Sequence, residues 1–140
     1  MSRFVVDASV AVKWFVPEIH SREAVTLLDS AHTLLAPDLV LTEVANALWK
    51  KTRRGELRPG EARLVLGSLA AVGLELVPSR ELVEAALELA LRAGCTVYDG
   101  VYLALAIHHN CPLVTADRRL RTLTALRGLA KHLMWLPALV

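Results

Sequence analysis

The chain has 140 residues, 54% of them hydrophobic, with a formal net charge of +2 and a mean hydropathy of +0.42. That length makes residues 1–140 one domain, able to bury roughly two-thirds of its unfolded surface. No apolar run approaches the roughly 20 residues a bilayer span needs, and Asp7 and Lys13 break up the N-terminus too early for a signal peptide. A cytoplasmic protein with no membrane partner is expected.

The predicted elements alternate between short apolar strands and helices. Arg3 to Val6 reads as a buried strand ending at Asp7, and Ser9 to Val16 as a short helix stopped by Pro17. A helix from Ser21 to about Ala31 precedes a second strand, Thr33 to Ala36. Asp38 then has the position of an N-cap for a helix from Leu39 to Arg54, ended by Gly55. Pro59 opens a helix running to about Val72, and Leu74 to Val77 is the third strand. Ser79 begins an amphipathic helix that stops at Gly94. A helix over Tyr98–His109, a strand over Leu113–Thr115 and a helix from Asp117 to Leu126 follow, with His132 to Leu136 as a fifth, edge strand. Such alternation indicates a parallel sheet covered on both faces.

Four acids are embedded in this apolar pattern. Asp7 closes the first strand, Asp99 opens an apolar helix, and Asp117 follows the fourth strand. Glu43 shares an inward stripe with Val40 and Ala47. Asp7, Asp99 and Asp117 also have the positions of helix caps, whereas Glu43 lies in mid-helix. Acids are seldom buried unless they are paired or bind metal, and ligands of parallel sheets bind beyond the carboxyl ends of the strands. A convergent pocket is therefore expected. Two carboxylates about 6 Å apart repel by roughly 3 kcal/mol at an effective dielectric of 20, so such a pocket calls for a cation. Oxygen-only ligands select Mg²⁺ or Mn²⁺, which activate water and stabilise charge on a phosphoryl oxygen. Asn46, one turn after Glu43, faces the same way. Arg118 and Arg119, adjoining Asp117, are candidates for contact with a substrate phosphate.

The segments VVDASVAVKWFVPE, APDLVLTEVANALWK, TVYDGVYLALA and LVTADRRL, in that order, resemble the PIN domain, and within it the VapC-type toxins. The resemblance runs from the first strand to about Leu120. It implies a three-layer α/β/α fold with a five-stranded parallel sheet of order 3-2-1-4-5. It also implies a metal-dependent endoribonuclease with metal acids at Asp7, Glu43, Asp99 and Asp117, supported by Ser9, Asn46 and Thr115. A cognate antitoxin entering the acidic groove and a homodimer are further implications, the latter also favoured by the high hydrophobicity. The competing reading is a PIN-fold module that binds RNA or a partner without cleaving.

Other signals carry less. His108-His109 lacks a third ligand at zinc spacing and points along two directions. Cys95 and Cys111 read as reduced, packed thiols. Trp14, Trp49 and Trp135 read as packing residues.

Overall fold

A computed structural model describes residues 2–139. In chain order the elements are β1 (Ser2–Val6), α1 (Ala8–Ala11), α2 (Ser21–Thr26), β2 (His32–Pro37), α3 (Leu39–Arg53) and α4 (Pro59–Leu69). They continue with β3 (Glu75–Val77), α5 (Val83–Ala93), α6 (Val97–His108), β4 (Leu113–Thr115), α7 (Arg118–Leu126) and β5 (Leu133–Trp135). All five strands are parallel, in the order β3-β2-β1-β4-β5, with helices on both sides. The predicted order and layering hold.

The central strands explain why. Val5 and Val6 of β1, and Leu113 and Val114 of β4, are all 0% exposed, so consecutive side chains on opposite faces are buried. Only a sheet covered on both faces hides them all. Residues Gly100 to Ala106 of α6 are likewise buried throughout, which makes α6 the core helix rather than a surface one. It packs most heavily on α5, and Gly100 permits the approach: a Cβ there would sit 2.5 Å from the carbonyl oxygen of Ala86.

Several local expectations change. The second helix stops at Thr26, not Ala31, because Asp29 turns the chain into β2: its carbonyl accepts the His32 N–H and its side chain the Ala31 N–H. Asp38 precedes α3 but does not cap it with its side chain. Its Oδ1 instead accepts from the N–H of Ser79 at 2.9 Å and its hydroxyl at 2.5 Å, while Ser79 Oγ accepts the Leu39 N–H at 3.2 Å. Ser79 thus serves α3, and α5 begins only at Val83, after a 3₁₀ turn over Ser79–Glu81. Gly94 ends α5 as expected, at φ +77, a conformation that costs glycine little.

Beyond α1 the chain makes a 3₁₀ turn at Val12–Trp14 that buries Lys13. Its Nζ lies 3.1 Å from Glu18 Oε1, and Lys51 Nζ on α3 lies 2.7 Å from Glu18 Oε2. The two ammonium groups hold the Glu18 carboxyl below its ordinary range against the opposing effect of burial. Cys95 and Cys111 are buried free thiols. Among the described residues no single helix is long and apolar enough to cross a membrane, and α5 and α6 meet at a bend of 111°.

Candidate active site

Asp7 stands where β1 ends and α1 begins, and both structural roles converge on it. Its Oδ1 caps α1 by accepting the Val10 N–H at 3.2 Å and also accepts the Ser9 hydroxyl at 2.6 Å. Its Oδ2 accepts the hydroxyl of Thr115, the last residue of β4, at 2.5 Å. Ser9 Oγ in turn accepts the Ala116 N–H at 3.2 Å, and Thr115 Oγ1 the Asp117 N–H at 3.1 Å. Two hydroxyls thereby join the carboxyl ends of neighbouring strands. Burial pushes the Asp7 carboxyl up to about 6; the Ser9, Thr115 and Val10 donors pull it down, and the charge of Asp117 adds to the rise.

The remaining acids surround this point from three helices. Asp117 caps α7, accepting the N–H groups of Arg119 at 2.9 Å and Leu120 at 3.3 Å. Asp99 is not a cap: Thr96 holds that place on α6, accepting the Asp99 N–H at 3.1 Å, so the Asp99 carboxylate is free for other work. Glu43 is half-buried on α3 and borders a cleft of about 500 Å³ together with Ala8, Asn46, Lys50 and Tyr98. Burial raises its carboxyl and Asp99 raises it further, while Tyr102 acts in the opposite sense.

Tyr102 records how closely the acids approach. Burial first, then the hydrogen-bonding pull and charge of Glu43, then the charges of Asp7 and Asp99, push its phenol upward. Its hydroxyl is buried facing Glu43, at a geometry short of a well-formed hydrogen bond. Sequence reasoning missed Tyr102. Its position three residues after Asp99, on the same face of α6, was the available signal.

Arg119 closes the group. Its Nη2 lies 2.7 Å from Asp99 Oδ2 and 3.7 Å from Asp117 Oδ2, so a guanidinium already bridges two of the four acids. Of the two arginines expected to meet phosphate, Arg119 faces the carboxylates while Arg118 lines an adjoining cavity. Among the described residues no three His, Cys, Asp or Glu side chains already converge tightly enough to hold a metal ion. The donor set nonetheless fits a hard cation. It consists of carboxylate oxygens only, one of them buried, and two of its members are bridged by a positive charge.

A parallel α/β sheet with carboxylates beyond its carboxyl edge defines an α/β domain that is acidic at the edge where sheets of this kind bind ligands. The PIN domain family profile matches residues 4–126, and the chain belongs to that family. Ribonuclease VapC3 of Pyrobaculum aerophilum is 42% identical over 120 residues, covering 84% of this chain and 92% of that protein. The crystal structure of PAE2754 from Pyrobaculum aerophilum aligns with a TM-score of 0.66 at 27% identity, over 87% of this chain and 79% of that one. A chain of a toxin–antitoxin complex from Klebsiella pneumoniae shares the fold alone, with a TM-score of 0.54 at 13% identity over 86% and 90% of the two chains.

Proposed function

We propose that this protein is a divalent-metal-dependent endoribonuclease, the toxin of a type II toxin–antitoxin pair. The observation that carries the reading is the buried Asp7 carboxyl, held by Ser9 and Thr115 and raised by the charge of Asp117, with Asp7, Asp99 and Glu43 all bearing on Tyr102. Its likeness to a ribonuclease over most of both chains supports the same assignment, and nucleases of this kind generally use divalent metal.

Asp7, Glu43, Asp99 and Asp117 would hold the cation, Mg²⁺ or Mn²⁺, which supplies Lewis acidity to the phosphoryl oxygen. Ser9 and Thr115 position the Asp7 oxygens through the hydroxyl bonds already made. Asn46 borders the same cleft as Glu43 and is available to a ligand there. Arg119, once displaced from the acids, is positioned to take a phosphate oxygen of RNA.

The cognate antitoxin would compete for the acidic edge with a basic side chain, as Arg119 does from within. A homodimer would bury apolar surface of the first half of the chain, where Trp49 is 53% exposed and Leu64 71%. The compartment would be the cytoplasm. The test is RNA cleavage with Mg²⁺ or Mn²⁺: it should stop with chelator and fall by orders of magnitude in Asp99→Asn at unchanged fold. Full cleavage in excess chelator would sink the metal mechanism. Coexpression with an adjacent small reading frame should yield a stable complex, and sedimentation should give a dimer at micromolar concentration.

A further inference from the structure

A cavity of about 560 Å³ adjoins the acids but contains none of them. It meets the site through Ala116, the residue between Thr115 and Asp117. Lys13, His20, Arg118 and Arg121 line it, and among its lining residues there is no carboxylate. Arg118 and Arg121 are three apart on α7 and so share a face. Trp135, from β5, forms part of the wall, and the guanidinium carbon of Arg121 lies 4.8 Å from its ring centroid.

The chemistry of this cavity is specific in kind. Its size is that of a small-ligand pocket. Its cations suit an anion, and a planar guanidinium stacked on an indole is a surface on which a base can lie. Lys13 is already paired with Glu18, so the bias rests chiefly on Arg118 and Arg121.

We propose that this cavity is the subsite for one nucleotide of single-stranded RNA beside the scissile phosphodiester. Arg118 and Arg121 hold its phosphate, and the Arg121–Trp135 stack holds its base. The assignment rests on the ribonuclease reading for its substrate, but binding here is separable from cleavage.

Binding of a short fluorescein-labelled single-stranded RNA of mixed sequence is to be measured by anisotropy in excess EDTA, where cleavage is silent. Arg121→Gln and Trp135→Leu should each weaken binding about tenfold. Each arginine substitution, at 118 or 121, should lower the slope of log affinity against log salt by about 0.7. Trp135→Phe keeps a ring and should retain affinity within about threefold, which separates stacking from misfolding. With Mg²⁺ added, Arg121→Gln should raise KM and leave kcat nearly unchanged. Wild-type affinity in Trp135→Leu, or an unchanged salt slope in both arginine variants, overturns the subsite. Wild-type protein that binds RNA with these dependences but never cleaves it overturns the nuclease reading and leaves the cavity standing as a nucleotide-binding site only.

Discussion

Arg119 donates from Nη2 to Oδ2 of Asp99 at 2.7 Å, joining the start of α7 to the first turn of α6. On the proposed reading, the guanidinium and a divalent cation compete for the same carboxylate. Arg119 is 59% exposed, so solvent screens the pair and its contribution is modest, about 0.2–1 kcal/mol. Arg119→Gln should therefore tighten Mn²⁺ binding by roughly two- to fivefold, read by titration calorimetry. Weaker Mn²⁺ binding in the variant would show that Arg119 supports the cation site instead of competing for it.

Asp7 makes stability depend on pH with a definite sign. Its folded carboxyl, at about 6, lies above the ordinary 3.8, so the folded state holds the extra proton between those values. Its contribution is fully present below about pH 4 and is lost as pH rises through 6, by an amount on the order of 3 kcal/mol. The raised Glu43 carboxyl acts in the same direction. Glu18 and Asp38 are held low and act oppositely, losing stabilisation as pH falls through their lowered values. The difference between wild type and Asp7→Asn in urea melts from pH 4 to 7.5 isolates the Asp7 contribution. Asp7→Asn should be the more stable protein at pH 7.5, and Mg²⁺ should stabilise it less than wild type. A parallel pH dependence in both proteins would contradict the reading.

Thr115→Val removes the donor to Asp7 and the acceptor for the Asp117 N–H while keeping the shape. Both groups lie at the buried edge, so the expected loss is about 1–3 kcal/mol, with a larger loss of cleavage than of RNA affinity. Thr115→Ser should restore most of both, because it returns the hydroxyl. Failure of serine to rescue would place the importance of Thr115 in its methyl group.

The poorly paired hydroxyl of Tyr102 predicts an unusual outcome. Tyr102→Phe removes a buried polar atom that gains no bond of good geometry, so chemical denaturation should find the apo protein unchanged or more stable by about 1 kcal/mol. A loss of more than that would mean that the hydroxyl bonds to Glu43 in solution.

Gly100→Ala tests the seam between α5 and α6. The added methyl meets backbone atoms of Ala86, with the carbonyl oxygen 2.5 Å away, and backbone yields less readily than a side chain. The variant should lose about 1–3 kcal/mol. Undiminished stability would imply that the two helices slide apart without cost.

Much of this was legible because it depends on local pattern. Uninterrupted apolar runs such as Val5–Val6 and Leu113–Val114 predict strands buried on both faces, and acids at their ends mark the carboxyl edge. What escaped the sequence depends on partners far along the chain. Asp38 and Ser79 exchange capping duties across 41 residues, and Arg119 meets Asp99 across 20. No periodicity encodes either pairing. Likewise, Asp7 and Asp117 looked like either caps or site acids, and the structure makes both the caps of their helices while linking their charges.

The bond from Thr115 to Asp7 closes a loop of 108 residues. During synthesis Asp7 is made 108 residues before the hydroxyl that orients it, which arrives only at the end of the fourth strand. Contacts of such long sequence separation form late, after the entropy of closing the loop has been met. An unfinished chain therefore has its first acid without its fixed orientation. A ribosome that has not yet delivered β4 therefore carries no working nuclease on its own nascent chain, and the activity switches on only once that strand has docked beside β1.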